Sequence, residues 1–248
     1  MTHVTSCGRI VEKLDDSMRV VDIGGGANPS PRADYVIDGL SYDQRGALSK
    51  ERTKKERVSR ATWIELDLCA HSSWPFPDKY FDYALCTHVL EDLRDPVWVC
   101  REMCRVAKAG YIEVPSRVVE QSRGVEHPCY AGYYHHRWLV SVRDKKLQFR
   151  HKPHSLHVIP GAIVTDVGAN QTINPQYATL GIEWSGSLDV DEVLCFDEQE
   201  VNRELCEFAA TCYRVPGLTV PVPRPWIARL KRWVYFHRLK QQGHQRTG

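Results

Sequence analysis

Short apolar runs of five or six residues alternate with polar and helical stretches through the first half of the chain. These runs are rich in β-branched and aromatic residues and are bounded by turn-forming residues, which is typical of buried strands. Strands are predicted at 19–23, 34–38, 62–66, 81–86 and 110–114. Strands that alternate with helical segments build a mostly parallel sheet covered on both faces, so we expect a doubly wound α/β domain.

The clearest helix is predicted at 95–107, between the fourth and fifth strands. Its apolar residues recur at helical spacing, Asp95 is suited to cap it, and Pro96 is suited to its first turn. The link between the first two strands is different, because 27–33 contains two prolines and is too short for an ordinary crossover helix. At most one helical turn fits there.

Beyond Pro115 the pattern predicts antiparallel additions. These are a hairpin of strands at 138–142 and 147–150, a second strand pair at 182–184 and 193–196, and a helix at about 198–213. A proline-rich linker follows, and then a basic amphipathic helix at 226–241. We expect this helix to dock on the protein, and peripheral contact with an anionic membrane surface stays open as the alternative.

Bulk composition is that of an ordinary globular protein, with 42% hydrophobic and 26% charged residues among 248. A net charge of +2 lacks the basic excess of a nucleic-acid binder, so no nucleic-acid partner is expected. The first nine residues lack the apolar core of a signal peptide, and no apolar run reaches about 18 residues. Nine scattered cysteines suit reduced thiols. We therefore expect a cytoplasmic protein.

The first strand carries an acid and leads into a glycine-rich loop, formed by Asp22, Gly24, Gly25 and Gly26. Glycine allows positive φ angles and a close approach of backbone to ligand. A dinucleotide fingerprint requires another glycine where Pro29 stands, and a diphosphate would be repelled by the acid. A positively charged nucleoside fits this loop better, although a purely structural tight turn remains an alternative.

Two further acids follow neighbouring strands: Asp38 ends the second strand and Asp67 follows the third. In a doubly wound sheet the ends of adjacent strands face one crevice, so these acids are expected to meet at one ligand. Asp38 is suited to accept ribose hydroxyls, and Asp67 is suited to accept from an adenine amino group. S-adenosylmethionine, which carries a sulfonium and an ammonium, would be favoured by such acids. A surface-exposed Asp38 is the alternative.

Five parts of the chain together resemble the class I S-adenosylmethionine-dependent methyltransferases of the type-11-like group: 22–26, Asp38, Asp67, 74–83 and 87–93. The resemblance implies a Rossmann-like fold and S-adenosylmethionine as cofactor. It also implies cofactor contacts from Asp22, Gly24, Gly25, Gly26, Asp38, Asp67, Leu68, Thr87 and His88. The chain departs from the family at 28–31, where a proline-containing loop replaces the first helix, and at Asp92, where similar sequences often have histidine.

From this resemblance we expect methyl transfer to an oxygen or nitrogen of a small-molecule or glycan-like acceptor. Three parts of the chain are expected: a cofactor domain at 1–150, an acceptor lid at 151–215, and a linker with a basic helix at 216–248. His88 and His136 are candidate general bases, because histidine titrates near neutral pH. A structural or exposed histidine stays open at either position.

Other functions remain as alternatives to the methyltransferase hypothesis. A methyltransferase-like binding module would keep the fold without turnover, and a nucleotide-dependent oxidoreductase would use the glycine loop differently. No C-x-x-C pair occurs, so no metal site is expected. The fold alone does not identify the acceptor, because one scaffold hosts many reactions.

Overall fold

The computed structural model describes residues 7–26, 28–45, 56–168, 171–221 and 234. The predicted C-terminal helix at 226–241 lies outside the described residues, apart from Val234. The chain divides into two compact units. The first comprises the described parts of 1–114, 142–149 and 180–192, and the second those of 115–141, 150–179 and 193–248.

The strands, in chain order, are β1 (Val20–Ile23), β2 (Tyr35–Asp38), β3 (Trp63–Glu65), β4 (Phe81–Thr87), β5 (Ala107–Pro115), β6 (Trp138–Arg143), β7 (Lys146–His151), β8 (Gln171–Ile173), β9 (Thr179–Ser185), β10 (Val190–Glu192) and β11 (Thr219–Pro221). The helices are α1 (Cys7–Val11), α2 (Pro96–Val106), α3 (Arg117–Glu120), α4 (Pro175–Ala178) and α5 (Glu198–Cys212). Short 3-10 turns occur at Arg60–Thr62, His154–His157 and Pro160–Ala162.

The central sheet has the strand order β3-β2-β1-β4-β5-β9. Strands β1 to β5 pair in parallel, which confirms the predicted doubly wound α/β domain and its five strands. The innermost strand, β1, is apolar on both faces because both faces are covered. Its residues Val20, Val21 and Ile23 are fully buried. The carboxyl ends of β1, β2, β3 and β4 consequently share one edge of the sheet.

The helix α2 forms where the apolar spacing predicted it. Asp95 caps it, because its side chain accepts a hydrogen bond from the Trp98 amide at 2.8 Å, and Pro96 occupies the first turn. The link between β1 and β2 contains no helix in its described part, 28–33, and closes instead with a turn bond from the Ala33 amide to the Ser30 carbonyl. Both observations match the expectations from proline and capping residues.

The strand β9 lies at the sheet edge next to β5, and the predicted pairing of 182–184 with 193–196 is wrong. Hydrogen bonds from Gly186 to Lys108 and from Ser116 to Ala178 show that β9 runs antiparallel to β5. Close packing explains the choice of partner: a Cβ placed on Gly110 would lie 2.7 Å from the Trp184 ring. The residues 193–196 form no strand, and β10 pairs in parallel with β7.

The hairpin of β6 and β7 is confirmed, with Asp144 and Lys145 in its turn at φ 51° and 65°. Positive φ values at both residues are typical of the tight hairpin turns whose backbone twist matches the twist of the two strands. The strands β8 and β11 form a separate antiparallel pair. The helix predicted at 198–213 is α5, whose Leu205 is fully buried in the core of the second unit. Among the described residues, no helix combines the length and apolar character needed to span a bilayer.

Candidate functional site

A pocket of about 390 Å³ opens in the first unit, where the parallel strands end. Doubly wound sheets bind ligands at this edge, outside the carboxyl ends of their strands. The residues lining the pocket follow β1, β2, β3 and β4 in turn: Gly24, Asp38, Gly39, Asp67, Leu68, His88, Val89, Asp92 and Leu93. The acids predicted at Asp38 and Asp67 are thus brought to one cavity.

The glycine loop reaches the pocket through Gly24, which has φ 69°. A Cβ at this position would lie 2.5 Å from a methyl carbon of Val89, which is closer than packed carbons approach. Glycine is therefore needed both for the left-handed backbone and for the contact with Val89. Gly26 also has a positive φ, 54°, and its amide points at Asp38. Gly25, Gly26 and Thr87 adjoin the pocket in sequence but do not line it.

Asp22 lies behind the loop, not in the pocket wall. Its side chain is nearly fully buried, and Oδ2 accepts a hydrogen bond from the Ser30 amide at 2.7 Å. Burial raises the pKa of Asp22 to about 7, the charge of Asp38 acts in the same direction, and the Ser30 hydrogen bond opposes both. Where a first helix would ordinarily follow the glycines, this carboxylate anchors the proline-containing loop.

Asp38 presents a fixed carboxylate at the end of β2. Its Oδ2 accepts from the Gly26 amide at 2.7 Å, and its Oδ1 accepts from the Leu40 amide at 2.6 Å. An ionised carboxylate has about four acceptor positions, so each oxygen keeps capacity for another donor. Two neighbouring hydroxyls of a ribose are the kind of donor pair that this arrangement suits.

Asp67 and Leu68 form the part of the pocket that follows β3. Asp67 accepts from the Cys69 amide at 2.9 Å and pairs with Arg94, and these contacts lower its pKa. The carboxylate therefore stays charged at neutral pH. Leu68 is only 6% exposed and supplies an apolar surface beside it. An apolar wall next to a hydrogen-bond acceptor suits a flat heterocycle with an amino group.

His88 follows β4 directly and has a left-handed backbone, with φ 56°. Its Nδ1 lies 3.6 Å from Oε1 of Glu91, and its Nε2 lies 3.5 Å from Oε1 of Glu113. Contact with Glu113 and then with Glu91 raises the pKa of His88 to about 9, against a smaller opposing effect of burial. The ring is therefore charged at neutral pH and has no lone pair to accept a proton, which does not fit the general base expected from the sequence.

The two glutamates that hold His88 were not recognised from the sequence. Glu91 is 1% exposed, and its Oε2 has no hydrogen-bond partner in the described part of the chain. Glu113 is 8% exposed, and its Oε2 accepts from the Tyr111 hydroxyl at 2.6 Å and from the Cys7 amide at 3.3 Å. The sequence contained one signal that could have identified Glu113: it is an acid inside the apolar run of the fifth strand, where an unpaired charge is costly.

His136, the second candidate base, lies in the second unit within a buried ionic cluster. Its Nδ1 is 2.8 Å from Oε1 of Glu120, and the other oxygen of that carboxylate accepts from Lys152 at 2.6 Å. Lys152 also donates to the Tyr133 carbonyl at 2.8 Å. These contacts give His136 a structural setting, and a catalytic role for it stays a prediction.

The parallel sheet has an acid-lined pocket at its strand ends, which is where doubly wound α/β domains bind their ligands. Residues 21–112 match the family described as a methyltransferase domain, and this match spans every residue that lines the pocket. This segment of the chain is therefore similar to a methyltransferase domain.

Several solved structures are similar to parts of this chain at low sequence identity. The YcgJ protein of Bacillus subtilis is 24% identical, with 44% of this chain and 50% of that chain covered and a TM-score of 0.35. An S-adenosylmethionine-dependent methyltransferase of Mesorhizobium loti is 15% identical, with 60% and 63% covered and a TM-score of 0.33. A putative methyltransferase solved with the Trm112 activator from Haloferax volcanii is 18% identical, with 44% and 50% covered and a TM-score of 0.33.

The chain spans about half the length of the first of these solved structures. No curated protein sequence matches it. At these TM-scores the solved structures do not define the site, whose residues are assigned from their own geometry.

Proposed function

We propose that this protein transfers a methyl group from S-adenosylmethionine to an oxygen or nitrogen of a small-molecule or glycan-like acceptor. The observation that carries the proposal is the pocket at the strand ends, which lies within the segment matched to the methyltransferase family. Its wall contains the carboxylates Asp38, Asp67 and Asp92. Such a wall favours a cationic ligand and disfavours the diphosphate of a dinucleotide.

The residues of the pocket fit the cofactor part by part. S-adenosylmethionine, when bound, supplies a methyl group on a positively charged sulfur. In this proposal Asp38 accepts the ribose hydroxyls, while Asp67 and Leu68 border the adenine; the position of all three in the pocket wall supports it. Gly24 offers a backbone without a side chain on the methionine side. In this assignment Asp22 acts indirectly, by anchoring the loop that carries the glycines.

The acceptor must be positioned in line with the methyl group, which is the main contribution of the protein in such displacements. A hydroxyl or protonated amine also has to lose a proton, and the charged ring of His88 does not take it. A net charge of +2 supports a small acceptor over a nucleic acid. We also propose a cytoplasmic setting, because nine cysteines scattered along the chain suit reduced thiols.

Isothermal titration with S-adenosylmethionine and S-adenosylhomocysteine tests the cofactor assignment. Asp38→Asn removes one carboxylate acceptor at nearly constant volume, so we expect affinity to fall by about 1–3 kcal/mol. Asp43→Asn is the matched control, because Asp43 is an exposed acid paired with Arg60 that does not line the pocket. Equal affinity in Asp38→Asn and the wild type, or no heat from the folded wild type at millimolar cofactor, would contradict the assignment.

Turnover is tested by the release of S-adenosylhomocysteine in the presence of hydroxyl-bearing and amine-bearing acceptors. Product with either class supports the proposal. Cofactor binding without product from any acceptor would favour the binding module instead. Energy transfer from the protein to a bound reduced nicotinamide cofactor would favour the oxidoreductase, and the acid-lined pocket argues against that result.

A further inference from the structure

The turn at 88–93 supplies four of the residues that line the pocket, His88, Val89, Asp92 and Leu93. It is tightly wound, with hydrogen bonds from Asp92 to Val89 at 3.1 Å and from Leu93 to Leu90 at 3.4 Å. It begins at His88 with φ 56°, which is unfavourable for a residue that has a Cβ. Surrounding contacts must therefore hold the first residue of the turn in place.

Those contacts come from two different elements. The His88 amide donates to the Glu113 carbonyl at 2.8 Å, and the two ring nitrogens of His88 face Glu91 in its own turn and Glu113 in β5. Both carboxylates are nearly fully buried, so water screens these ion pairs weakly on the protein side. Within the described residues, His88 is the cation that forms an ion pair with Glu91.

We propose that His88 is a positioning residue whose charged ring, held between Glu91 and Glu113, fixes the turn at 88–93 in the shape that closes the cofactor pocket. The identity of the ligand in this proposal rests on the proposed function. We call the two contacts of the His88 ring with Glu91 and Glu113 the clamp, and the clamp rests on these contacts alone. In this role His88 orients Val89 against Gly24 and does not exchange a proton with the acceptor.

The clamp gives the pocket a defined pH dependence. The groups around the ring are the carboxylates of Glu91 and Glu113, with the Tyr111 hydroxyl and Cys7 behind Glu113, and the pocket acids Asp38, Asp67 and Asp92. The pKa of His88 is raised to about 9 by Glu113 and Glu91, and burial raises the pKa of the Cys7 thiol to about 11. The ion pairs are thus complete below pH 8 and are lost as the pH rises through 9.

The test measures the dissociation constant of S-adenosylhomocysteine for the wild type and two histidine variants from pH 6 to 10. His88→Asn removes the charge, and asparagine tolerates the left-handed backbone. His71→Asn is the matched control, because His71 also has φ 56° and pairs with an acid, Asp95, but does not line the pocket. Comparing variants at equal pH cancels any titration of the ligand itself.

We expect His88→Asn to bind about two to five times more weakly than the wild type at pH 7, in line with a half-exposed ion pair. The ratio of the two dissociation constants should approach one at pH 10, and His71→Asn should match the wild type throughout. Thermal unfolding of each variant establishes that it is folded. A ratio near one at pH 7 would overturn the proposal.

Nuclear magnetic resonance of the His88 ring gives a readout that does not depend on the ligand. We expect a pKa well above 8 in the wild type, and a lower pKa in Glu113→Gln, which keeps hydrogen-bonding capacity for Tyr111 and Cys7 but removes the charge. Titration of the wild-type ring near 6.5 would overturn the clamp even if the ligand binds. If the wild type binds no S-adenosylhomocysteine, the proposed function fails, and the ring titration still decides the clamp.

Discussion

Replacing Asp22 with asparagine should make the ligand-free protein more stable at alkaline pH. Asp22 is nearly fully buried behind the glycine loop and accepts a hydrogen bond from the Ser30 amide. An asparagine side chain has nearly the same shape, and its oxygen can accept the same hydrogen bond. The substitution therefore removes a buried charge while keeping the anchor of the loop.

The size of the effect follows from the pKa of Asp22, which burial raises from 3.8 to about 7. A raised folded-state pKa favours folding below pH 4, and this advantage is lost as the pH rises to about 7. Three pKa units correspond to about 4 kcal/mol, which is an upper limit because the loop can relax around the charge. Asp22→Asn should therefore exceed the wild type in unfolding free energy by up to about 4 kcal/mol above pH 7, and by little at pH 4.

Urea unfolding followed by circular dichroism at pH 4.5, 6, 7 and 8.5 measures this difference. The matched control is Asp43→Asn, which removes an exposed acid whose pKa is lowered by its contact with Arg60. That variant should lack a stability gain above neutral pH. If the difference between Asp22→Asn and the wild type is constant from pH 4.5 to 8.5, the buried acid does not titrate as the structure implies.

Two further substitutions test the packing of each unit. Gly24→Ala should lower the unfolding free energy by about 1–3 kcal/mol, because its Cβ would lie 2.5 Å from a methyl carbon of Val89. Gly186→Ala is the control, since Gly186 has a positive φ but no such clash; an equal loss of stability in both variants, measured by thermal unfolding, would disprove the role of Val89. Glu120→Gln should lower the free energy of unfolding, measured with denaturant, by about 3–5 kcal/mol, because it leaves the buried charge of Lys152 without its carboxylate. A decrease of less than about 1 kcal/mol would show that Lys152 finds another partner.

The elements of the first unit were predictable because their determinants are local. The apolar runs around Val20 and Val36 specify buried strands wherever they pack, and the sequence Asp95-Pro96 specifies a helix start through its own hydrogen bond and fixed φ. The convergence of Asp38 and Asp67 also followed, since parallel strands leave their ends at one edge.

The remaining features depend on partners far apart in the chain. The position of β9 beside β5 is set by the fit of Trp184 over Gly110, which no short sequence window contains. The charge state of His88 depends on Glu113, a residue in the next strand of the sheet. Asp22 was correctly placed at the end of the first strand, but its burial depends on how the loop at 28–31 folds back over it. Long-range packing, not local preference, decides these cases.

Glu113 links the amino-terminal helix to the ligand pocket through a single carboxylate. One oxygen takes the amide hydrogen of Cys7 at the start of α1, and the other faces the ring of His88. Displacement of that amide, for example by a rigid fusion placed before the helix, would remove a hydrogen-bond donor from Glu113 and so change the electrostatic environment of the His88 ring. A flexible spacer in front of the helix would leave this contact undisturbed, so the linker before Cys7 should be flexible in any tagged form of the protein.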